Sequence, residues 1–302
     1  DPLLNSLYTL FDNRNYLKVY ENWFGGAGFQ LGFDNGVRIR FDAVAEDRLP
    51  VHNTTAYSFT KQADSLMLPN HPYELAHIPF ERHQAFVITT GFQFQPGQRY
   101  IQYPYHKQSV GSDYPTFAVQ YSKGVRGVFG SDIDFDKWKL SVFDDVNLRM
   151  LGNFKYRFSM GGFLNNVRVA IPDMQHFNGN QTIYTAKYVN SFQLAPYYRY
   201  SNTESWYGVV HAEHHFNGLL TNKIPLFNRL KWYLVAGSNA FYVNNDNYYV
   251  EAFAGLENIF KLLRVDIVSG FQAAPGNHVA VRVGFGGLLG NSIRNQSDDV
   301  SY

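Results

Sequence analysis

Residues 204–242 read ESWYGVVHAEHHFNGLLTNKIPLFNRLKWYLVAGSNAFY, and this stretch decides the predicted fold. Two extended runs, 206–216 and 229–242, flank a connector that contains turn-forming and helix-breaking residues. Successive side chains of a strand point to opposite faces, so the first run separates into an apolar set and a polar set. The polar face carries Tyr207, His211, Glu213 and His215. Such a two-sided strand is typical of an outer-membrane β-barrel, which meets lipid outside and encloses a polar interior.

The same alternation recurs on both sides of this stretch. In 154–160 aromatic residues alternate with basic ones, and in 37–43 aliphatic residues alternate with charged ones. A row of charges on one face would be costly in a dry core, whereas a polar lumen hydrates it. We therefore predict a solvated, lumen-facing polar cluster, and we expect its histidine and glutamate side chains in 211–215 to be dispensable for folding. Its members are Arg38, Arg40, Asp42, Lys155, Arg157, His211, Glu213 and His215.

Composition restricts the class of protein. Aromatic residues make up 17% of the 302 residues and charged residues 17%, whereas soluble proteins average about 25% charged. The net charge of +1 gives no reason to expect nucleic acid as a partner, and the lack of cysteine excludes disulfides and thiolate metal sites. No apolar run approaches the roughly 18 residues of a membrane helix. The mean hydropathy of −0.29 does not separate a soluble protein from a barrel, because half of each barrel strand faces a wet interior.

The chain divides into three parts by pattern. Residues 1–24 form a lead-in whose leucines have helical spacing and whose end alternates like a barrel strand. Residues 25–288 carry about a dozen runs of roughly ten residues, the length of a tilted membrane strand, and one of them is 192–200. Residues 289–302 are a polar C-terminal tail. We expect an all-β, antiparallel transmembrane barrel of about 12–14 strands, in a mature or incomplete chain that starts without a signal peptide.

Two short sequence patterns resemble functional motifs, and each also has a simpler structural interpretation. On a strand, the imidazoles of His211 and His215 would be about 13 Å apart, so this pattern is not the helical zinc motif and we predict no metal site. Gly124-Val125-Arg126-Gly127 resembles the arginine motif of barrel-assembly proteins, but Val128 replaces the expected aromatic residue, which favours a glycine turn. Common enzyme signatures are absent, so no catalytic residue and no cofactor are expected. A barrel-embedded hydrolase stays open, because its site would assemble from separate strands.

Short motifs in a fixed order resemble one family. They are Trp23-Phe24-Gly25-Gly26, Glu46-Asp47-Arg48-Leu49-Pro50 with Asn53-Thr54-Thr55, Tyr114-Pro115-Thr116-Phe117 with Lys123-Gly124, and His214-His215-Phe216-Asn217-Gly218 with Lys223-Ile224-Pro225-Leu226. The chain is similar, over about residues 12–288, to large outer-membrane proteins of unknown function that often carry a carboxypeptidase-regulatory-like domain before a barrel. That barrel is similar to the bacterial surface-antigen and barrel-assembly superfamily.

The resemblance implies a location and a class of function. It places the protein in the bacterial outer membrane, with about sixteen strands in the complete barrel. It implies a non-enzymatic component of an outer-membrane biogenesis or transport assembly, whose partners are outer-membrane lipids and other outer-membrane or periplasmic proteins. A passive diffusion channel and a barrel-embedded hydrolase are the alternatives.

Overall fold

The structure is a computed structural model that describes residues 2–54, 57–59, 69–105, 107–185, 187–272 and 278–286. Helix α1 (Pro2–Asp12) precedes the strands, and the short helix α2 (Pro225–Leu230) lies between two of them. The strands are β1 Tyr20–Gly32, β2 Val37–Pro50, β3 His83–Phe94, β4 Arg99–Gln102, β5 Lys107–Gly111, β6 Thr116–Gly124, β7 Asp134–Asn147, β8 Asn153–Arg168, β9 Tyr184–Thr185, β10 Tyr207–His215, β11 Tyr233–Asn244, β12 Asn247–Ile259, β13 Leu263–Gln272 and β14 His278–Phe285. No helix in this part of the chain is long and apolar enough to cross a membrane.

One large sheet contains most of these strands. Its 12 strands run in the order β1-β2-β3-β6-β7-β8-β10-β11-β12-β13-β14-β9, and β4 and β5 form a separate hairpin. All neighbours in the large sheet are antiparallel except β14 and β9, which pair in parallel over two residues. The prediction of an all-β protein with a large antiparallel sheet is therefore confirmed. Within the described residues no pairing joins β1 to β14 or β9, so a closed barrel is not found.

The first hairpin illustrates how the sequence sets strand register. Asp34-Asn35-Gly36 forms the turn between β1 and β2, and Gly36 has a φ of +84°, which glycine adopts without strain. A Cβ at this position would lie 2.0 Å from the backbone oxygen of Gln95, so the turn needs glycine for space as well. With this turn fixed, β1 and β2 pair without interruption from one end to the other.

The strand register also shows which side chains share a face of the sheet, because residues directly opposite each other on neighbouring strands point to the same face. The line of opposed residues that starts at Arg40 in β2 passes through Gly91, Gln120, Lys139 and Gly161 to Tyr207 in β10. Lys155 and Arg157 of β8 lie opposite Glu213 and His211 of β10. All of these side chains therefore belong to one face, which we call the covered face, and the opposite side is the open face.

The covered face takes its name from residues 169–206, the segment between β8 and β10, which we call the insert. Its buried aromatic residues pack against the inner side chains of β10 to β12; in the tightest contact, Phe177 stacks on Phe241 with ring centroids 4.1 Å apart. The core cluster that joins insert and sheet consists of Phe177, Phe192, Ala195, Tyr200, Tyr207, Val209, Phe241, Val243 and Tyr249. The main core thus lies between the insert and the C-terminal half of the sheet.

The prediction of a strand at 192–200 is wrong. This part of the insert is irregular, yet Phe192 and Ala195 are almost completely buried. A buried segment outside a sheet must pair its backbone groups in another way. Here the Glu251 carboxylate accepts the backbone N–H groups of Gln193 and Leu194, so the segment is buried without joining the sheet.

Some predicted boundaries also move. The run expected to start a strand at residue 229 begins with the end of α2, and β11 starts only at Tyr233. The lead-in 1–24 contains α1 and the first residues of β1, which begins at Tyr20. The polar tail expected over 289–302 lies outside the described residues.

Candidate functional site

A chain of charged side chains is buried on the covered face of β10, β12 and β13. The ring of His215 lies between two carboxylates, with Nε2 at 2.6 Å from Glu213 Oε1 and Nδ1 at 3.0 Å from both oxygens of Glu257. Ionised carboxylates only accept hydrogen bonds, so both ring nitrogens donate, which is the imidazolium arrangement. Arg264 extends the chain, since its Nη1 donates to Glu213 Oε2 at 2.7 Å and its Nε to Asp266 Oδ2 at 2.9 Å.

The insert closes over this charge chain. The side chain of Arg264 has 0% exposed surface, and its guanidinium lies 3.7 Å from the centre of the Tyr188 ring. Charges removed from water are tolerated when each has a partner, and removing one partner is strongly destabilising. His215, Glu213, Glu257, Arg264 and Asp266 therefore stand as a set, which we call the charge chain.

A second polar centre fixes the insert to the sheet through Glu251 of β12. One carboxylate oxygen accepts from the backbone N–H of Gln193 and from Asn239 Nδ2, both at 2.7 Å. The other accepts from the backbone N–H of Leu194 at 3.1 Å. Arg282 of β14 contacts the same part of the insert, because its Nε donates a hydrogen bond to the carbonyl oxygen of Gln193 at 2.6 Å. The insert is thus held through its backbone groups. Glu251 and Arg282 contact it directly, and Asn239 of β11 supports Glu251.

The start of the insert is held by β2 and β7. Arg48 of β2 is buried and forms ion pairs with Glu46 and, at 2.6 Å, with Asp173 of the insert. Lys137 of β7 donates to the backbone oxygens of Asp173 and Met174, at 3.3 and 3.1 Å. The insert is therefore fixed to the covered face near its start as well as at residues 193–194.

His176 fixes the insert internally. Its Nε2 lies 2.7 Å from the carbonyl oxygen of Ile171 and its Nδ1 lies 2.7 Å from Ser201 Oγ. Burial lowers the pKa of His176 below its ordinary value, although the hydrogen bond to Ile171 opposes this shift. The neutral ring then donates from Nε2 to the carbonyl, and Nδ1 accepts from the Ser201 hydroxyl.

The members of the predicted polar cluster make different contacts in the structure. Arg38 and Arg40 are exposed, and Arg40 pairs with Asp42 at 2.5 Å. On β8, Lys155 pairs with Asp145 at 3.1 Å, and the Arg157 guanidinium lies over the Phe143 ring at 4.4 Å. The residues of β2 lie several strands away from the charge chain, whereas Lys155 and Arg157 of β8 lie directly opposite Glu213 and His211 of β10.

The expectation of solvation is wrong for the β10 members of that cluster. His211, Glu213 and His215 are only 3%, 2% and 5% exposed. His211 contacts Asn239 Oδ1 at 2.9 Å through Nδ1 and packs against the Phe192 ring of the insert. The physical reason is the insert, which excludes water from a face that would otherwise be wet.

Arg126 lies apart from this region. It is exposed in the turn that joins β6 to β7, next to Gly127, whose φ is +81°. The structure therefore places this arginine at the surface, outside the covered face.

Several residues of the site were missed from sequence. They are Arg48, Asn239, Glu251, Glu257, Arg264, Asp266 and Arg282. A signal was available, because Asn239, Glu251, Asp266 and Arg282 are isolated polar residues at inward positions of otherwise apolar strands. A polar residue in such a position needs a buried partner, and the partners can be identified only when the order of strands is known.

In the present arrangement the polar groups of the site bond to one another and to the insert. In the ranges that the structure describes, no group of three or more His, Asp and Glu is arranged to hold a metal ion. Both nitrogens of His215 already face carboxylates, and among the described residues neither His211 nor His215 has a hydroxyl group as hydrogen-bond partner. The absence of a metal, of a cofactor and of catalysis remains a prediction.

We expect His215→Ala to lower the free energy of unfolding by about 2 kcal/mol or more, because it removes the donor to the buried Glu257 and one of the donors to the buried Glu213. This replaces the expectation that His215 is dispensable. The adjacent His214 is the matched control, since it lies on the open face and donates only to the Leu151 backbone oxygen. Its replacement by alanine should cost less than about 1 kcal/mol. Urea unfolding of both variants measures the difference, and equal losses would contradict the assigned role.

Comparison with known proteins gives a family without an assigned activity. The model of the C-terminal domain of a family of unknown function, DUF5686, matches residues 1–256. A search of the curated proteins found no match to the chain. Because the family model covers most of the chain, including the strands that carry His215 and Glu251, the chain belongs to the DUF5686 family of unknown function.

Proposed function

We propose that this chain forms most of an outer-membrane β-barrel that acts without catalysis in an outer-membrane biogenesis or transport assembly. In this proposal the sheet closes with further strands, to about sixteen in the complete protein. Its partners are outer-membrane lipids and other outer-membrane or periplasmic proteins. The observation that carries the proposal is an apolar band along the open face.

The apolar band extends from β1 to β14. Soluble monomers rarely expose a contiguous apolar patch larger than a few hundred Å². Here exposed aromatic and aliphatic side chains occupy the open face of strand after strand, which suits a lipid environment. The band includes Phe29, Leu31, Phe92, Phe117, Val119, Leu140, Phe158, Val210, Tyr242, Val250, Ile267 and Val281.

Charges on the open face occur toward strand ends. On β7, Asp136 and Asp144 enclose three uncharged positions, Trp138, Leu140 and Val142. Eight residues at about 3.4 Å each separate the two acids by about 27 Å along the strand, close to the roughly 25 Å apolar band of outer-membrane barrels. Asp136 also pairs with Lys123 of β6 at 2.7 Å. This arrangement supports a membrane-facing surface between two polar rims.

The insert favours an assembly role over a diffusion channel. An open channel needs a water-filled interior, whereas here the insert packs on the covered face and is fixed by Arg48, Glu251 and Arg282. We therefore expect low conductance from the purified protein in planar bilayers. Large, stable conductance steps would favour the channel instead.

The hydrolase alternative receives less support. Its candidate bases, His211 and His215, are buried and engaged with Asn239 and with two glutamates. Neither is paired with a nucleophile among the described residues. Ester hydrolysis that is lost in His211→Ala, with folding retained, would restore this alternative.

The barrel itself is tested by heat-modifiable mobility on a denaturing gel. A closed barrel resists detergent unfolding, since every strand edge is paired, so the unheated protein should migrate faster than the boiled protein. The urea-unfolded protein, kept unheated, is the control and should migrate with the boiled sample. Identical mobility before and after boiling, for protein refolded in lipid, would contradict closure.

A further inference from the structure

A cavity of about 810 Å³ remains on the covered face where the insert does not fill it. It lies between α1 and the residues that follow it, the strands β6 to β8 and β10, and residues 174–198 of the insert. This volume is within the roughly 300–1,000 Å³ of small-molecule sites. The cavity is therefore large enough for a ligand of one or two sugar rings.

The lining of the cavity is basic. Lys137, Lys139 and Lys187 contribute to it, and none of its lining residues is an aspartate or a glutamate. The nearby carboxylates of the covered face are engaged elsewhere, Asp173 with Arg48 and Glu251 with the insert backbone. The wall of the cavity therefore supplies no carboxylate to Lys139.

Lys139 gives the clearest indication that the cavity binds an anion. Its side chain points to the covered face, in line with Gln120 and Gly161. Among the described residues it has no hydrogen bond and no ion pair, and the charged groups that interact with it include the basic side chains of Arg157 and Lys137. A half-buried lysine surrounded by cations is unfavourable unless an anion is bound.

Tyr207 provides an independent observation. Its side chain is 1% exposed and lines the cavity, and its hydroxyl has no hydrogen-bond partner in the described part of the chain. Leaving a buried hydroxyl unsatisfied costs free energy, so such groups usually have a partner. A ligand hydroxyl or anionic oxygen in the cavity would supply one.

Tyrosine and amide side chains also line the cavity. Tyr8, Tyr16 and Tyr197 offer rings, and Asn178 and Asn180 offer amide groups. Rings that pack on apolar sugar faces and amides that bind hydroxyls suit a polyhydroxylated ligand. We propose that this cavity binds an anionic saccharide, one that carries a phosphate or a carboxylate, with Lys139 as the anion contact and Tyr207 as a hydrogen-bond partner. The proposal goes beyond the assembly role and does not depend on closure of the sheet.

Calorimetric titration of the full chain in detergent micelles tests this proposal. The probes are glucose 6-phosphate and glucuronate, and neutral glucose is the control ligand. We expect saturable binding of at least one charged probe, about tenfold or more tighter than glucose, because a hydrogen bond to a charged group contributes more than a neutral one. A lipid arm uses nanodiscs of phosphatidylcholine with and without phosphatidylinositol. Occupancy only from phosphatidylinositol would identify an inositol phospholipid headgroup as the source of the same combination of hydroxyl groups and phosphate.

Variants then locate the site. Lys139→Gln should weaken binding of the charged probe about tenfold or more, and Lys139→Arg should retain most of it. Lys155→Gln is the matched control, since Lys155 shares the covered face but lies outside the cavity and pairs with Asp145. Tyr207→Phe should weaken binding of the charged probe without lowering the stability of the free protein. If the hydroxyl had only a structural role, its removal would change the stability and not the affinity.

Three results would overturn the proposal. They are the absence of saturable binding in both the free and the lipid arm, equal affinity for glucose and the charged probes, and an unchanged affinity in Lys139→Gln.

Discussion

Replacing Arg264 with methionine is expected to lower the free energy of unfolding by about 3–5 kcal/mol. The guanidinium is fully buried and connects Glu213 of β10 to Asp266 of β13. Methionine keeps much of the side-chain volume but supplies neither the charge nor the hydrogen bonds. Asp266 then loses its cation in a dry environment, and Glu213 loses one cationic partner while it keeps the His215 ring. Removing one partner of a buried ion pair is the costly outcome.

The control for this experiment is Arg40→Met. Arg40 shares the covered face and pairs with Asp42, but it is exposed, so its loss should cost less than about 1 kcal/mol. Urea unfolding of both variants in lipid vesicles measures the two free energies. If Arg264→Met were no more damaging than Arg40→Met, the charge chain would contribute no stability.

Ile267→Arg is expected to cost about 2–4 kcal/mol in lipid vesicles, because Ile267 lies near the middle of β13 on the open face, where the proposed membrane is. Ile267 is 61% exposed, and substitutions at such exposed positions of a water-facing surface usually change stability very little. In water, an arginine there would change stability by less than about 0.5 kcal/mol. The experiment therefore separates a lipid-facing surface from a water-facing one.

Leu226→Arg is the matched control for Ile267→Arg. Leu226 is 62% exposed, but it lies on α2 in the connector between β10 and β11, away from the apolar band. Its replacement should be nearly neutral in the same vesicles. Equal, small effects at both positions would contradict the membrane location of the open face.

Strands and their facing could be predicted from sequence because both depend on local alternation. The polar set Tyr207, His211, Glu213 and His215 does share one face of β10, as the pattern of two residues indicates. Residues 192–200 carry a similar local pattern, yet they are irregular, because the Glu251 carboxylate satisfies their backbone. Local pattern cannot distinguish the two cases, since the deciding partner lies more than fifty residues away.

The candidate site was predictable in position but not in environment. Sequence placed His215 on the polar face, but it gave no indication that Glu257 and Glu213 enclose its ring or that the insert covers it. Those contacts depend on strand order and on the path of the insert. The cavity beside Lys139 depends on the same two features, so it too required the three-dimensional structure.

The attachment of the insert has a consequence for the order of folding. The insert precedes β10 in the chain, but the side chains that hold its middle, Asn239, Glu251 and Arg282, come from β11, β12 and β14. Contacts between distant segments form slowly, because the intervening chain must first lose its freedom. The insert is therefore synthesised before its docking surface exists and can settle only after β11 to β14 have paired. Covering of this face of the sheet is in this way a late event in folding, set by the pairing of strands that follow the insert in the chain.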